Sequence, residues 1–223
     1  MPYVTFIPSV SLSLHQYLTH TIMRRAILTL ILTIAAISVA RAGVTDKNIE
    51  KAVDYIGVKG PVEFCGQEFY LAWSSHPMET YYLQEYLPKG ETLERYNEML
   101  TLSVLIWDKT PREAAYAKAE ELEQRKKTDK VCQYMVAEND GEYIVDFIVS
   151  DSNGDTLDCV EADVHHYRQI TVNGRKATML TFYSRRAYGD DILPFMQTIP
   201  TLRPQWYDAL SRLNIKPHIK KNT

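Results

Sequence analysis

The chain has 223 residues, 45% of them hydrophobic and 24% charged, with a formal net charge of −3. A mildly acidic chain without a clustered Lys/Arg surface is a poor nucleic-acid binder. Three cysteines, an odd number, exclude a small disulfide framework.

Residues 1–42 read as a leader rather than as part of the fold. Met23-Arg24-Arg25 precedes the apolar run Ala26 to Ala40. Ala40-Arg41-Ala42 then offers a small-residue cleavage site before Gly43. The apolar run is 15 residues, short of the roughly 20 that a membrane span needs. Residues 1–22 fit no targeting logic, so Met23 is the expected start, with cleavage after Ala42. The leader holds three arginines and no acid, so its removal leaves 22 basic residues against 28 acids, a net of −6. The remaining 43–223 is the length of one domain with a sizeable core. An exported chain with so few cysteines fits a bacterial periplasm. The basic groups Arg125-Lys126-Lys127 and Lys216 to Lys221 read as solvated ends.

Thr45 to Ile56 predicts a short helix, with Ile49, Ala52, Val53 and Ile56 at helical spacing and Gly57 and Gly60-Pro61 ending it. Val62 to Phe64 and Glu68 to Trp73 read as strand, broken or bulged at Cys65-Gly66. Ser74 to Pro77 reads as a turn and Glu79 to Leu87 as another strand. Pro88-Lys89-Gly90 breaks it, and Glu91 to Tyr96 predicts one helical turn. Met99 to Trp107 is apolar at both parities, as a strand covered on both sides is. Thr110-Pro111-Arg112-Glu113 is a capping box with proline at the first helical position. It starts a helix that runs to about Lys127 and buries Ala115, Ala119 and Leu122. Val131 to Glu138 is the next strand.

Asn139-Asp140-Gly141, Asn153-Gly154 and Asn173-Gly174 then join consecutive antiparallel strands, because Asn-Gly suits the positive φ of a type I′ turn. Two-residue turns fix a register. Phe147 is expected opposite Val160, Val145 opposite Ala162, and Tyr143 opposite Val164. Val164 is expected opposite Tyr183, and His166 opposite Thr181. Alternation places Tyr143, Val145, Phe147, Val160, Ala162, Val164, Met179 and Tyr183 on one core face, with Tyr134 and Val136 beside them. Ile144, Asp146, Ile148, Glu161, Asp163, His165, Tyr167, Leu180, Phe182 and Arg186 fall on a mixed face. Cys132 and Cys159 are expected on opposite faces and unbonded, which leaves a bond from Cys65 to either one open. Pro194, Pro200 and Pro204 predict two short C-terminal helices, near 191–199 and 204–213, and a frayed tail beyond Ile215. The expected class is α+β: a mostly antiparallel sheet of six to seven strands with helices packed on its faces.

The run Glu85-Tyr86-Leu87-Pro88-Lys89-Gly90-Glu91-Thr92-Leu93-Glu94-Arg95-Tyr96 resembles a stretch, E-Y-[LV]-P-x-G-E-[ST]-x-E-[NR]-[WY], of uncharacterised exported proteins of Gram-negative bacteria. It departs at the last position, where that group more often has tryptophan. The resemblance implies an address outside the cytoplasm and no particular activity. The element order is similar to the PsbP/Mog1-type fold, which implies accessory or binding roles.

Candidate chemistry is sparse. His165 and His166 are strand neighbours on opposite faces and cannot share one metal ion. Asp151-Ser152-Asn153-Gly154-Asp155 has its glycine and its twelfth position wrong for an EF-hand, so it reads as a hairpin. Ser184 or Cys65 with His165 and Asp163 lacks any framing nucleophile motif. The expected register lines Asp146, Glu161 and Arg186 across three strands, a patch for a cationic or polar ligand. Glu85, Tyr86, Lys89 and Glu91 are candidate ligand-binding residues of the loop. No cofactor or metal is expected. The expected function is that of an exported accessory or binding protein of the cell envelope whose partner is a protein or small ligand. A periplasmic hydrolase using carboxylates or Ser/His on the mixed face is the alternative.

Overall fold

The structure is a computed structural model that describes residues 52–153 and 156–219. The leader, the choice of start and the first half of the expected 45–56 helix lie outside the described residues.

Eight strands form one antiparallel sheet: β1 Val62–Phe64, β2 Gln67–Met78, β3 Tyr81–Pro88, β4 Glu98–Leu105, β5 Gln133–Asn139, β6 Glu142–Asn153, β7 Thr156–Val172 and β8 Arg175–Tyr188. Their spatial order is β1-β2-β3-β4-β8-β7-β6-β5. Helix α1, Pro111–Arg125, follows β4, and α2, Ile192–Arg212, follows β8 through a 3-10 turn at Gly189–Asp191. The chain therefore runs twice through four strands and a helix, and the last strands of the two halves pair at the centre of the sheet. The α+β class holds, with more strands than expected.

Two of the sharp corners fall where turns are expected. Asp140-Gly141 and Asn173-Gly174 take positive φ at both central positions, as type I′ turns require. Cys65-Gly66 does the same, so it is a hairpin between β1 and β2, not a bulge in one strand. The β7–β8 register is as expected, with Val164 opposite Tyr183 and His166 opposite Thr181. The β6–β7 register is not. Asn153 pairs with Thr156, so the turn closes one residue later, and a bulge between Asp151 and Ser152 adds one more residue. Phe147 thus faces Asp163, Val145 faces His165 and Tyr143 faces Tyr167. An odd displacement turns β6 over relative to β7. β6 carries apolar residues at both parities and is covered on both sides, so its pattern prefers neither face.

Phe147 and Val164 consequently point to opposite sides. The α2 face carries Leu100, Leu102, Val104, Met179, Tyr183, Val160, Ala162, Val164 and Ile148, packed against Ile192, Phe195, Ile199, Trp206 and Leu210. On the other face α1 packs on β5, β6 and β7 through Ala114, Ala115, Ala119 and Leu122. The capping box forms as predicted: the Thr110 hydroxyl accepts from the Glu113 amide, and the Glu113 carboxylate accepts from the Thr110 amide. Small side chains let this helix lie close to the strands.

Four expectations are overturned here. Residues 52–61 are not helical, and Gly57 turns the chain at φ +79°. Ser74 to Pro77 continues β2 through irregular pairing. The C-terminal segment is one 21-residue helix with Pro200 and Pro204 inside it. Each interior proline costs about 3 kcal/mol, but five buried side chains contribute about 1.5–3 kcal/mol each and run the helix's full length. Last, the tail is docked through residue 219: Ile215 and Ile219 are buried, and the His218 amide donates to the Ile56 carbonyl at 2.7 Å.

Candidate functional site

Residues 88–98 form a corner, not a helical turn. The Glu91 carboxylate accepts from the amides of Asn97 at 2.8 Å and Glu98 at 3.1 Å, which draws the loop back on itself. The Arg95 amide donates to the Thr92 hydroxyl at 3.3 Å. Tyr96 turns inward between Leu87 and Met99. Its hydroxyl donates to Glu161 Oε2 at 3.1 Å, and the Arg186 guanidinium lies 4.2 Å from its ring centre. Arg186 Nε donates to the same carboxylate oxygen. Asn97 and Arg186 exchange two more bonds, amide to carbonyl at 2.8 Å and side chain to carbonyl at 3.1 Å. Tyr188 donates to the Tyr96 carbonyl at 2.9 Å, and its ring lies beneath Arg95.

The loop and the strand row, two separate candidates in the sequence, therefore meet at Glu161. Glu161 does sit opposite Arg186. Asp146 does not join them: it sits opposite Val164 and faces α2. There Tyr207 donates to its carboxylate, and Arg203 Nε lies 2.9 Å away as an ion pair with its N–H not aimed at the oxygen. Burial pushes the Asp146 carboxyl up, and Tyr207 and Arg203 pull it back. Tyr86 is a core residue whose hydroxyl donates to the Val58 carbonyl at 2.5 Å. Glu85 is buried opposite Thr101, Glu91 holds the corner, and Lys89 is exposed at its tip.

Along β7, next to Glu161, Asp163 accepts from the Ser184 hydroxyl at 2.5 Å. His165 Nε2 is 3.8 Å from the same carboxylate, and its Nδ1 meets the Tyr167 hydroxyl at 3.3 Å. The imidazole stacks on Phe182 at 3.9 Å and meets the edge of Phe147. His165 is only 9% exposed, because α1 covers the mixed face on which it lies. Burial holds it neutral, well below the usual histidine range. Burial pushes the Asp163 carboxyl up to about 6. Glu161 is raised by burial and then by the charge of Asp163, against Arg186. From α1, Lys118 lies over the Phe147 ring and pairs with Glu121 at 3.0 Å.

Most polar groups here are paired, but Asp163 Oδ2 and Glu121 Oε2 are buried without a hydrogen bond. Ser184 donates to Asp163 rather than to an imidazole, so the order of a serine relay is absent. His166 points to the opposite face and meets Glu142 at 2.7 Å. Among the described residues no group of three or more His, Cys, Asp or Glu is placed to hold a metal ion, and the three cysteines are free. Asp151 pairs with Arg125 at 3.3 Å.

Tyr96, Lys118 and Glu121 were not legible as partners of the row, because each reaches it from an element distant in sequence. Only the Tyr96 side of the motif gave any signal. Architecture and site together define an antiparallel α/β-layered protein with a locked polar corner. A family model matches residues 56–215, and the chain belongs to that family, an uncharacterised one. No curated protein and no solved structure matches the chain. No helix among the described residues is long and apolar enough to cross a membrane.

Proposed function

We propose that this chain is an exported accessory or binding protein of the bacterial cell envelope, acting without catalysis through the corner at residues 88–95. The observation that carries the reading is the double anchoring of that corner, by Glu91 within the loop and by Tyr96 on Glu161 and Arg186. Lys89, Thr92, Glu94 and Arg95 are left exposed on a fixed base. A preorganised loop loses little entropy when a partner binds, and loops on rigid scaffolds commonly carry binding. Mixed charge at Lys89, Glu94 and Arg95 suits a polar partner surface.

Export is supported by the basic, apolar and small-residue succession of residues 23–42. The likeness of residues 85–96 to exported proteins of Gram-negative bacteria supports the same address. The hydrolase reading gains little from Ser184 and His165: the Ser184 hydroxyl donates to Asp163, and the imidazole meets Tyr167 through Nδ1 and lies 3.8 Å from Asp163 through Nε2.

Capture of the tagged chain from its own envelope fraction tests this, using wild type beside Lys89→Glu/Arg95→Ala. A partner recovered with wild type and lost with the double variant is expected. A partner held equally by both would overturn the corner as the site. Ester or glycoside turnover lost in Ser184→Ala would overturn the non-catalytic reading.

A further inference from the structure

Among the described residues β5 pairs with β6 alone, so its other side is a sheet edge. Edges normally carry guards: brevity, proline, lysine or a bulge. At the opposite edge β1 is three residues long. β5 is a seven-residue strand, QYMVAEN, with no proline, no lysine and no register break against β6. Met135, next to its central residue, is 50% exposed.

The groups that edge presents follow from the hairpin. Asn139 and Glu142 close the two-residue Asp140-Gly141 turn, so they form a hydrogen-bonded pair. In an antiparallel ladder such pairs alternate. Asn139, Ala137, Met135 and Gln133 thus direct their amide and carbonyl at β6. Tyr134, Val136 and Glu138 direct theirs outward.

We propose that this edge pairs antiparallel with β5 of a second copy of the chain, about a two-fold axis through Val136. The two eight-stranded sheets join into one. In that register Val136 faces its own copy, and Tyr134 faces Glu138 of the other. All three outward residues then use both backbone groups, and a slip of two residues loses one of these pairs.

Charge favours the same orientation. Lys126 and Lys130 lie beside Gln133 and Tyr134 at the β5 entrance, and Lys126 Nζ lies 5.5 Å from the Tyr134 ring centre. Glu138, Asp140 and Glu142 gather at its exit. An antiparallel two-fold sets each basic end beside the other copy's acidic end, as an isologous contact requires. A single strand pair buries little surface, so the dimer is weak and concentration-dependent. The inference does not rest on the corner as a binding site.

Sedimentation velocity of the full chain from about 5 to 200 µM tests it, a range suited to a weak contact. Wild type is expected to shift from monomer to dimer. Val136→Pro removes the central outward amide, and proline is tolerated where that amide faces solvent. This variant is expected to stay monomeric at every loading. Glu138→Lys sets lysine against the partner's basic end and is expected to weaken the dimer at least tenfold, more so at low salt. Hydrogen exchange is expected to slow with concentration at Tyr134, Val136 and Glu138 only. A wild type that stays monomeric throughout overturns the proposal. So does a dimer unchanged in Glu138→Lys, a measurement that decides the matter even where Val136→Pro does not fold.

Discussion

The Tyr96 hydroxyl donates to Glu161 at 3.1 Å across 65 positions of sequence, and that bond ties a surface corner to the middle of the sheet. Arg186 completes the triangle by stacking on the Tyr96 ring and pairing with Glu161. The corner's rigidity is thus a tertiary property. The strand row holds the loop, and the loop shields the row.

Breaking either side of the triangle has different consequences. Tyr96→Phe keeps the ring and removes one bond to a carboxylate, an expected loss of about 1–2 kcal/mol. Arg186→Met leaves Glu161 partly buried without its cation, an expected loss of about 3 kcal/mol. Denaturant unfolding of both variants and of the double mutant measures the coupling. Additive losses would show that Tyr96 and Arg186 do not share Glu161.

Asp163 predicts an unusual dependence of stability on pH. Its carboxyl rises from an ordinary value of 3.8 to about 6 in the fold, chiefly by burial. The groups around it are Glu161, His165 and Tyr167 on β7, Ser184 and Arg186 on β8, Tyr96 from the corner, and Lys118 and Glu121 on α1. Below pH 3.8 both folded and unfolded chains hold the proton. Between 3.8 and 6 the unfolded chain releases it first, so stability falls as pH rises. The whole effect is on the order of 3 kcal/mol. Asp163→Asn is expected to flatten that segment in urea titrations between pH 4 and 7. An unchanged slope would assign the effect to another group.

Local chemistry was legible and long-range register was not. Thr110-Pro111-Arg112-Glu113 specified a helix start, because all partners of the cap lie within one turn. Asn173-Gly174 specified the β7–β8 pairing, because both of its residues adopt positive φ. The β6–β7 pairing turned on a bulge near Asp151 that no residue type announces. Since β6 has buried apolar residues at both parities, patterning could not correct the error. The pattern alone therefore sets Asp146 beside Glu161, although Arg203 and Tyr207 hold it against α2 on the other side. The prolines of α2 misled for another reason: their cost is local, and the burial that outweighs it depends on the sheet beneath.

That balance can be measured at Pro200. The helix runs through it, so Pro200→Ala is expected to restore one backbone bond and remove a ring clash with the preceding turn. Some of the gain is offset by a freer unfolded chain. A net rise of about 1–2 kcal/mol, read as a higher Tm, is expected. A fall would mean that the helix breaks at this residue.

The two faces of the sheet give a last test, built on Asp146 and Glu161. These acids share no partner: Tyr207 and Arg203 serve the first, and Tyr96 and Arg186 serve the second. Asp146→Asn is expected to loosen α2, with faster exchange near Trp206 and Leu210. Glu161→Gln is expected to loosen the corner, with faster exchange at Asn97 and Glu98. Independent sites add to within about 0.5 kcal/mol, so the double variant's loss should equal the sum of the single losses. Had the three charges stood in one row across β6, β7 and β8, removing one acid would relieve repulsion on the other. Each single variant would then be relieved of the same repulsion, so the double variant would lose clearly more than the sum, and that outcome would contradict the turned-over register of β6.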